Sequence, residues 1–544
     1  MASLPTFKFS GNTNIQLTPV EAELCTFIDE CCADLQETKG INNTCRIAGG
    51  WLLGKESNDI DIALSNIMGD EFAEHLARFA EKRSVQTGPI AIFNPNPEQS
   101  KHLRTARIPI FELELDLVNL RSEEYAADSR IPTAVAFGTP LQDALRRDIT
   151  INALFYNVHT RTVEDCTGKG IEDLKNGIVR TPLPPRETFI DDPLRILRSI
   201  RFASRYGFTI VSDLEESVKD PVIQNALVTK VARERVGEEL TKMLKGPDPK
   251  RSIDLINHLT LYDPVFNVLP SETTLSSPLA PRSTSLDATF VLDSLLDPSG
   301  TTFEPLPRIH PSLIQAVSKD PTARPRLFLA AALTPYLGLT YQDRKKKALP
   351  AVELAIRESL KLGAQYHFAD GIPLLFSAAQ YLKNPDLSEK RFQDPSERVA
   401  LGLLLREKMM HHPASGARWQ LAVLFSLVQE LALVCPSGAF DAVEATRLLE
   451  LYNAFVSRIE ELELSDVGEE KPLLNGHITS QILGASKPGQ WTGAVLARVM
   501  EWQLEHPKST AEHCTAWLKE EHGAGRITIN DSSEPASKRL KTKR

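Results

Sequence analysis

The 544-residue sequence lacks several features that mark specialised classes of protein. No run reaches the roughly 18 apolar residues that a membrane-spanning helix needs, so we expect no membrane partner. The net charge is −9, which argues against a protein that coats nucleic acid with its whole surface but allows a local basic patch. The first 20 residues contain one lysine and no arginine, so we expect neither a secretory signal nor a strong mitochondrial transit peptide.

Cysteine is also scarce and is spaced without pattern. The chain has seven cysteines and no C-x-x-C pair, and this composition in a long chain is typical of a reducing compartment. We therefore predict neither a zinc site nor a disulfide framework. The cysteines are Cys25, Cys31, Cys32, Cys45, Cys166, Cys435 and Cys514.

The hydrophobic patterns of the sequence divide the chain into two regions. The sequence predicts a helix from about 20 to 40, strands at "CRIAGG", "DIDIAL" and "FELELDLVNL", a helix at "DEFAEHLARFAEKR" and a loop at "FNPNPEQSKH". After Asp191, amphipathic helices separated by proline-rich joints continue to about residue 520. The pattern predicts an α+β protein in which an N-terminal head, a small mixed β-sheet with helices, precedes an all-α neck, body and tail.

Two glycines precede the first alternating strand, in "RIAGGWLLGKESNDIDIAL" from residue 46 to residue 64. Gly49 and Gly54 with Lys55 have the spacing of a Walker phosphate loop, but Glu56 occupies the position where that loop needs a hydroxyl. The Glu56 carboxylate would repel the phosphates, so we reject this interpretation.

A second interpretation of this region centres on three carboxylates. Asp59 and Asp61 are two residues apart in a predicted strand and therefore face the same side. Adjacent carboxylates repel each other unless a cation lies between them, and hard oxygen ligands suit Mg²⁺. Asp116 stands in another alternating strand, and three such carboxylates can hold two metal ions for an in-line phosphoryl transfer. Gly49 and Gly50 would let backbone N–H groups approach a triphosphate.

Four further motifs follow the Asp-x-Asp segment and indicate a more specific function. "RRDITINAL", "DCTGKGIEDL", "DDPLRILRSIRFASRYGF" and "ARERVGEEL" follow in order between residues 146 and 240. With the glycine pair and the Asp-x-Asp segment, they resemble the motifs of class II CCA-adding enzymes, the tRNA nucleotidyltransferases, and the eukaryotic branch fits best. The resemblance covers roughly residues 40 to 250, and beyond residue 280 only a helical body of suitable length is similar.

The resemblance implies addition or repair of the 3′-terminal CCA of tRNA from CTP and ATP, without a nucleic-acid template. It implies that Asp59 and Asp61 are ligands of Mg²⁺ and that Gly49 and Gly50 lie beside the triphosphate. It also implies further catalytic and nucleotide-binding residues. The matching positions are Asp116 for a third catalytic carboxylate; Arg146, Arg147, Asp148 and Asn152 for ribose and phosphates; and Asp191, Asp192 and Arg195 for the amino-acid template, whose first position is Asp here where the family has Glu.

The selectivity of such a template follows from the edges of the bases. Cytosine and adenine each present an exocyclic amine beside a ring-nitrogen acceptor, so Asp192 can accept from the amine while Arg195 donates to the ring nitrogen. Uracil and guanine present the reverse arrangement, and each unmade buried contact costs about 1–3 kcal/mol. Two such losses give a rejection on the order of 10³.

The segment "DPLRILRSIRFASR" has helical spacing, with arginines on one face and apolar residues on the other. Arginine suits phosphate recognition. We therefore predict that Arg198 contacts the nucleotide and that Arg201 and Arg205 contact RNA, in preference to an ordinary solvated face.

These assignments predict a catalytic head over 1–180, a nucleotide-selecting neck over 181–265, a tRNA-binding helical body and tail over 266–525, and a disordered basic tail over 526–544. The expected partners are tRNA, CTP and ATP, and we expect a monomer. The terminal "SKRLKTKR" is either a nuclear-import signal or a solvated tail. We expect the protein in the cytoplasm and nucleus. Mitochondria are also compatible with the resemblance, because the family often serves several compartments from one gene.

Two departures from the family's pattern leave the activity open. The family commonly reads G-G-x-V-R-D-x-L-L-G before its D-x-D, whereas Trp51 here runs directly into Leu52, so four residues are absent. Arg104 stands where the eukaryotic branch usually has Glu, in a loop tied to addition of the final A.

Three interpretations follow from these departures. The protein is an active enzyme that tolerates the shorter loop, the product of a transcript or gene model that lost an in-frame piece, or an impaired or non-catalytic homologue that binds tRNA. A poly(A) polymerase of the same superfamily is disfavoured by the Asp-Asp-x-x-Arg motif, because such an enzyme does not need an amino-acid template that accepts CTP.

Overall fold

The computed structural model describes residues 17–48, 59–93, 105–125, 132–297, 306–363 and 368–528. The chain divides into two compact units, one formed by Met1–Thr289 with Pro335–Tyr366 and the other by Phe290–Thr334 with His367–Arg544. The predicted head and neck therefore belong to the same unit, which also takes in two pieces of the predicted body, residues 266–289 and 335–366.

The described strands all lie in the first unit, where they form one large sheet and three small pairs. They are β1 Cys45–Ala48, β2 Asp59–Leu64, β3 Ala91–Phe93, β4 Thr105–Ile110, β5 Leu113–Asn119, β6 Arg121–Tyr125, β7 Pro132–Phe137, β8 Phe155–Asn157, β9 Thr162–Glu164, β10 Ile178–Val179, β11 Thr209–Ile210, β12 Thr340–Gln342 and β13 Ala348–Pro350. The seven-stranded sheet has the order β3-β4-β5-β2-β1-β8-β9, and the pairs are β6-β7, β10-β11 and β12-β13.

Helices occur in both units. In chain order they are α1 Pro19–Lys39, α2 Gly69–Lys82, α3 Pro140–Leu145, α4 Gly170–Asn176, α5 Pro185–Asp191, α6 Leu194–Tyr206, α7 Ser212–Val218, α8 Pro221–Lys230, α9 Arg233–Leu244, α10 Pro249–His258, α11 Tyr262–Phe266, α12 Ser283–Leu296, α13 Pro311–Lys319, α14 Ala323–Ala332, α15 Val352–Leu354, α16 Ile372–Leu382, α17 Glu397–Arg406, α18 Trp419–Leu433, α19 Ala442–Glu461, α20 Gly476–Ile482, α21 Thr492–Glu505 and α22 Ala511–Gly523. Helices α1–α11 and α15 belong to the first unit, α12 runs across the division, and the others belong to the second unit.

The centre of the large sheet positions the candidate site. Strand β2 pairs in parallel with β5 on one side and antiparallel with β1 on the other. Along β2, the exposed Asp59 and Asp61 alternate with the buried Ile60 and Ile62. This alternation places both carboxylates on the face of the strand opposite the buried isoleucines.

Helix α6 carries Arg195 and Arg198, two of the predicted nucleotide-binding residues, and packs against α9 and α10. Its buried face includes Ile196, Leu197 and Ile200, which are at most 1% exposed. The helix ends at Tyr206 and is capped by Gly207, whose φ of 71° lies in the left-handed region that glycine adopts without strain.

The second unit is helical over its described residues. Helix α18 is buried along most of its length and packs against α13, α16 and α19. Arg326 is only 2% exposed, and its guanidinium donates to the backbone oxygen of Phe368 at 2.8 Å and to the side chains of Asp320 and Thr322 at 3.2 and 2.9 Å. These partners compensate a charge that would be costly to bury alone.

The predicted fold class is confirmed, since a mixed sheet with helices precedes a helical region. The predicted helix and strands before residue 120 correspond to α1, α2, β1, β2 and β5, whereas β4 was not predicted. Most of the predicted loop "FNPNPEQSKH" and the basic tail from residue 529 lie outside the described residues. Within the described ranges, no helix is both long enough and apolar enough to span a bilayer.

Candidate active site

Three carboxylates meet where β2 and β5 run side by side. Asp61 lies directly opposite Asp116 in the register, and Asp59 precedes Asp61 by two residues on the same face of β2. The pKa of the Asp61 carboxyl is raised, first because surrounding protein removes water from it although its side chain still reaches the surface, and then because Asp116 and Asp59 are negative. Excess negative charge on hard oxygen donors is what a divalent cation relieves, so Asp59 and Asp61 fit a site for Mg²⁺.

Arg107 on β4 neutralises the third carboxylate. Its Nε and Nη2 donate to the two oxygens of Asp116 at 2.7 and 2.8 Å, and its Nη1 donates to Glu114 at 2.9 Å. The antiparallel register sets this fork, because Arg107 lies directly opposite Asp116. Asp116 is thus beside Asp61, but both of its oxygens already bind an arginine, and its predicted catalytic role stays a prediction.

A buried aspartate that the sequence analysis missed holds the two arginines of "RRDITINAL". Asp143 in α3 is 1% exposed. Its Oδ1 accepts from Arg146 Nε at 2.9 Å, and its Oδ2 accepts from Arg147 Nε and Nη2 at 3.0 and 2.9 Å. Burial raises the pKa of Asp143, but the positive charges of Arg147 and Arg146 outweigh burial, so the pKa is lowered. The ionised carboxylate therefore fixes the direction of both guanidinium groups.

Arg147 connects this clamp to the carboxylates of the sheet. Its Nη1 donates to the backbone oxygen of Asn152 at 2.9 Å, and its guanidinium lies 4.8 Å from the ring centre of Phe155. Its positive charge also lowers the pKa of Asp61 and partly offsets the effect of the neighbouring carboxylates. Arg147 therefore contributes to the electrostatic surroundings of Asp61.

Asp148 ties the same motif to α6. Its Oδ2 accepts from Arg198 Nε at 2.6 Å, and its Oδ1 accepts from the backbone N–H of Ile149 and from Asn152 Nδ2, both at 2.9 Å. Burial raises the pKa of Asp148, but the charge of Arg198 and these hydrogen bonds lower it on balance. The Oδ1 of Asn152 is buried and accepts no hydrogen bond from the part of the chain that the structure describes. A buried acceptor of this kind suits a hydroxyl of a bound ligand.

The predicted template residues lie at the junction of α5 and α6. Asp191 ends α5, and Arg195 is in the first turn of α6 with 7% of its surface exposed. The Nη2 of Arg195 donates to the backbone oxygen of Arg146 at 2.6 Å, and Asp192 Oδ1 accepts from the N–H of Leu194 at 3.2 Å. Burial raises the pKa of Asp191, and the charge of Arg195 acts in the opposite direction. The template arginine is therefore joined directly to the "RRDITINAL" segment.

The arginines of the predicted basic face of α6 have different surroundings. Arg195 is buried, the Nε of Arg201 donates to Glu239 Oε2 at 2.6 Å with only 12% of the Arg201 side chain exposed, and Arg205 is exposed. Arg201 is held in this way because α6 packs against α9, which supplies the buried acid Glu239. The RNA contact predicted for Arg201 stays a prediction and would have to compete with this ion pair.

A cavity with a basic lining lies beside the exposed end of this helix. Its volume is about 330 Å³, and its charged lining residues are Arg201, Arg205, Lys242, Lys245 and Asp248. Arg201 and Lys242 both form ion pairs with Glu239, at 2.6 and 3.0 Å, but the four cations still outnumber Glu239 and Asp248, so this cavity is suited to an anionic group such as a phosphate.

The remaining predicted site residues are Gly49 and Gly50. These glycines, the short loop that follows them and Arg104 lie outside the described residues, so the roles predicted for them stay predictions.

Two family models match parts of the first unit. Residues 45–180 match the model described as the Poly A polymerase head domain. Residues 207–272 match the model described as the probable RNA and SrmB-binding site of polymerase A.

Several curated proteins are similar over nearly the whole chain. The mitochondrial CCA tRNA nucleotidyltransferase of Candida glabrata is 34% identical over 532 residues, which cover 94% of this chain and 97% of the relative. The corresponding protein of Saccharomyces cerevisiae is 34% identical over 529 residues, covering 93% of each chain. The tRNA nucleotidyltransferase cca2 of Schizosaccharomyces pombe is 32% identical over 522 residues, covering 93% of this chain and 99% of the relative.

Solved structures share the fold. The CCA-adding enzyme of Bacillus stearothermophilus, crystallised in complex with CTP, gives a TM-score of 0.56 at 16% identity and covers 94% of this chain and 99% of the relative. A CCA-adding enzyme in an apo form gives a TM-score of 0.58 at 20% identity and covers 94% of this chain and 96% of the relative.

Proposed function

Because the chain belongs to the family of CCA tRNA nucleotidyltransferases, we propose that it adds or repairs the 3′-terminal CCA of tRNA with CTP and ATP as substrates. One observation supports this proposal most directly. A series of contacts runs from Arg195 to the backbone of Arg146 and from Arg146 through Asp143 to Arg147, and the charge of Arg147 lowers the pKa of Asp61. The residues proposed to select a base, hold phosphates and transfer a nucleotide therefore lie within one unit.

We propose that Asp59 and Asp61 hold Mg²⁺ in a two-metal site. Ions bound there would activate the 3′ hydroxyl of the tRNA and offset the charge of the departing pyrophosphate. The strand register supports this assignment, because Asp59 and Asp61 lie on the same face of β2 and Asp61 lies opposite Asp116 on β5, so hard oxygen ligands are gathered in one place.

The clamped arginines would orient the triphosphate. Asp143 holds both guanidinium groups before substrate arrives, so little reorganisation is needed when charge develops on the phosphates. Arg198 donates to Asp148, and Asp148 in turn accepts from Asn152 Nδ2. These bonds would hold Asn152 so that its buried Oδ1 can accept from a hydroxyl of the ribose. Positioning of this kind supplies much of the rate in phosphoryl transfer.

Asp192 and Arg195 would read the base, with Asp191 beside them. Arg195 is nearly buried and donates to the backbone oxygen of Arg146, so a base that presents a donor instead of an acceptor would leave the other N–H groups of Arg195 desolvated without an acceptor from the base. The basic cavity beside Arg205 would receive a phosphate of the tRNA backbone. Recognition of tRNA by shape and phosphates, without base sequence, suits an enzyme that serves many tRNAs.

The compartments remain part of the proposal. The relatives of Candida glabrata and Saccharomyces cerevisiae carry "mitochondrial" in their names, which supports a mitochondrial pool beside the expected cytoplasmic and nuclear ones.

The decisive experiment is nucleotide incorporation into a tRNA transcript that lacks CCA. The purified full chain is supplied with Mg²⁺ and with CTP, ATP, UTP or GTP, alone and combined, and the products are resolved at single-nucleotide length. We expect two C and one A to be added in order, with UTP and GTP rejected. A protein that binds the transcript but adds nothing would support the non-catalytic alternative.

A second arm of the same experiment tests whether the short loop after Gly49 and Gly50 still supports nucleotide addition. A variant with Val-Arg-Asp-Ala inserted between Trp51 and Leu52 restores the length of the family's loop. If wild type is active and the insertion changes little, the short loop is tolerated. If only the insertion variant is active, the chain lost an in-frame piece and the family's Arg-Asp pair is needed for triphosphate binding.

A further inference from the structure

A cluster of metal-binding side chains lies away from the candidate active site, where α1 meets the sheet. Cys32 comes from α1, Cys45 begins β1, and His159 follows β8. Their ligand atoms all lie within 4.8 Å of one another, and the two sulfur atoms are 3.5 Å apart. The lack of a C-x-x-C pair predicts no zinc site from the sequence, whereas the fold assembles this set from three separate segments.

We propose that Cys32, Cys45 and His159 form a binding site for Zn²⁺ that fastens α1 to the start of β1 and to the residues that follow β8. Tetrahedral zinc with Zn–S bonds of about 2.3 Å separates two sulfur ligands by about 3.8 Å, close to the spacing seen here. The set supplies three protein ligands, so the fourth position would be taken by solvent. His159 is only half-buried, which gives the ion a route in from the surface.

The surroundings of these ligands are those of a metal site. The Nδ1 of His159 lies 2.5 Å from Oδ1 of Asp29, an arrangement that leaves Nε2 as the unprotonated nitrogen facing the cysteines. The Nε2 now accepts the backbone N–H of Cys45 at 2.9 Å, and binding would exchange that hydrogen bond for a bond to the ion. The Nδ2 of Asn43 donates to Cys45 Sγ at 3.4 Å, and such N–H···S contacts favour the thiolate form.

Charge and ligand type favour zinc over the cation proposed for the active site. Two thiolates balance the charge of Zn²⁺, so the loaded site is neutral, which suits two cysteines that are at most 6% exposed. Thiolate sulfur is a soft ligand that Mg²⁺ does not select. The site is also separate from the carboxylates, since Cys45 pairs with Leu64 while Asp61 lies three residues earlier on β2, about 10 Å along the strand.

The first test is the metal content of the purified full chain. After dialysis against metal-free buffer, elemental analysis should find about one zinc per chain. Replacement of zinc by Co²⁺ should produce an intense thiolate-to-cobalt charge-transfer band and the visible bands of a tetrahedral ion. A chain that holds no zinc and gives no such band with Co²⁺ would overturn the proposal. A disulfide between Cys32 and Cys45 in the native protein would also overturn the proposal. Mass spectrometry would detect it as a loss of two hydrogen masses with the two cysteines joined.

Variants test whether these residues hold the ion. Cys32→Ser and His159→Gln should lower the affinity for Co²⁺ by more than about 100-fold, and Asp29→Ala, which removes only the partner of the histidine, by about 10- to 100-fold. Cys25→Ser is the matched control, because Cys25 is a buried cysteine on the same helix outside the cluster. Cobalt bands that persist in Cys32→Ser would overturn the assignment. Asp29 is partly exposed, so its variant is expected to fold and keeps the test valid if the cysteine variant does not.

Discussion

At the scale of single residues, Asp143 shows how a side chain that need not touch substrate can control a site. It accepts from both Arg146 and Arg147 while only 1% exposed. We predict that Asp143→Ala raises the KM for CTP and ATP by at least about 10-fold, because two guanidinium groups lose the partner that directs them. Loss of one member of a buried pair should also lower the free energy of unfolding by about 3 kcal/mol.

The control for this prediction is another buried aspartate of the same unit. Asp173 is 2% exposed and accepts from Thr150 and Arg180, away from Arg146 and Arg147. Asp173→Ala should lose stability without the rise in KM when both variants are assayed well below their melting temperatures. An equal rise in KM in both would mean that Asp143 acts only through stability.

Asp61 is predicted to have opposite effects on activity and stability. We expect Asp61→Asn to lower nucleotide addition by at least about 10²-fold, because the substitution removes one charged ligand from the carboxylate pair. The same change relieves repulsion from Asp116 and Asp59, so the metal-free variant should melt at the same temperature as wild type or higher. Primer extension and thermal melting in chelator measure the two effects.

The control for Asp61→Asn is Glu74→Gln, which removes one charge from the exposed face of α2 in the same unit. It should leave both addition and melting unchanged. An Asp61→Asn protein with normal activity would remove Asp61 from the catalytic centre.

Some residues of the site could be predicted from the sequence and others could not. Asp59, Asp61 and Arg195 stand in motifs whose residue types and spacing indicate a function, so the sequence alone could identify them as candidate site residues. Arg107 and Asp143 have no such motif. Their roles depend on a strand register and on a helix end that bring together residues from different segments.

At the scale of secondary structure, the strongly patterned elements were predictable. The alternation in "DIDIAL" and the 3.6-residue spacing in "DEFAEHLARFAEKR" identified β2 and α2. Strand β4 was missed because "TARIPI" contains a proline and follows a polar segment, signals that normally indicate a loop. The proline is tolerated within a strand whose antiparallel partners are β3 and β5.

Helix α6 is attached to its neighbours by ion pairs that depend on pH. Burial raises the pKa of Glu239, but the charge of Arg201 and the hydrogen bonds from Lys242 and Arg201 lower it below 4.5 on balance. A lowered folded pKa means that the pair contributes stability above the unfolded pKa and loses it as the pH falls toward the folded pKa. We therefore predict that the melting temperature of wild type falls more steeply between about pH 5 and about pH 3 than that of Glu239→Gln.

The same variant has a second expected effect and a matched control. At neutral pH, Glu239→Gln should lower the free energy of unfolding by about 3 kcal/mol, because the Arg201 side chain, which is only 12% exposed, loses the charge of its partner. Glu444→Gln breaks an exposed pair with Arg447 and should change neither the melting temperature nor its pH dependence appreciably. Parallel pH profiles for wild type and Glu239→Gln would contradict the role given to this pair.

At the scale of the whole molecule, a net charge of −9 must be reconciled with binding to a polyanion. The average field of the protein repels tRNA, so attraction has to come from local groups within about one Debye length. Among the described residues, the cavity lined by Arg205, Lys242 and Lys245 offers such a group of cations. Binding of tRNA should therefore depend on few phosphate contacts and on these residues in particular.

This expectation can be measured as the salt dependence of tRNA binding. The slope of log K against log salt counts the phosphates that are neutralised, so Arg205→Ala and Lys245→Ala should each reduce its magnitude by about 1. Lys345→Ala and Lys346→Ala remove the same charge from exposed positions between β12 and β13 and serve as controls, because a change in net charge alone would affect both pairs equally. If all four variants weaken binding alike, long-range attraction dominates. If only the first pair changes the slope, the cavity beside α6 contacts tRNA phosphates directly, and a molecule that is acidic overall binds its substrate through a small basic surface.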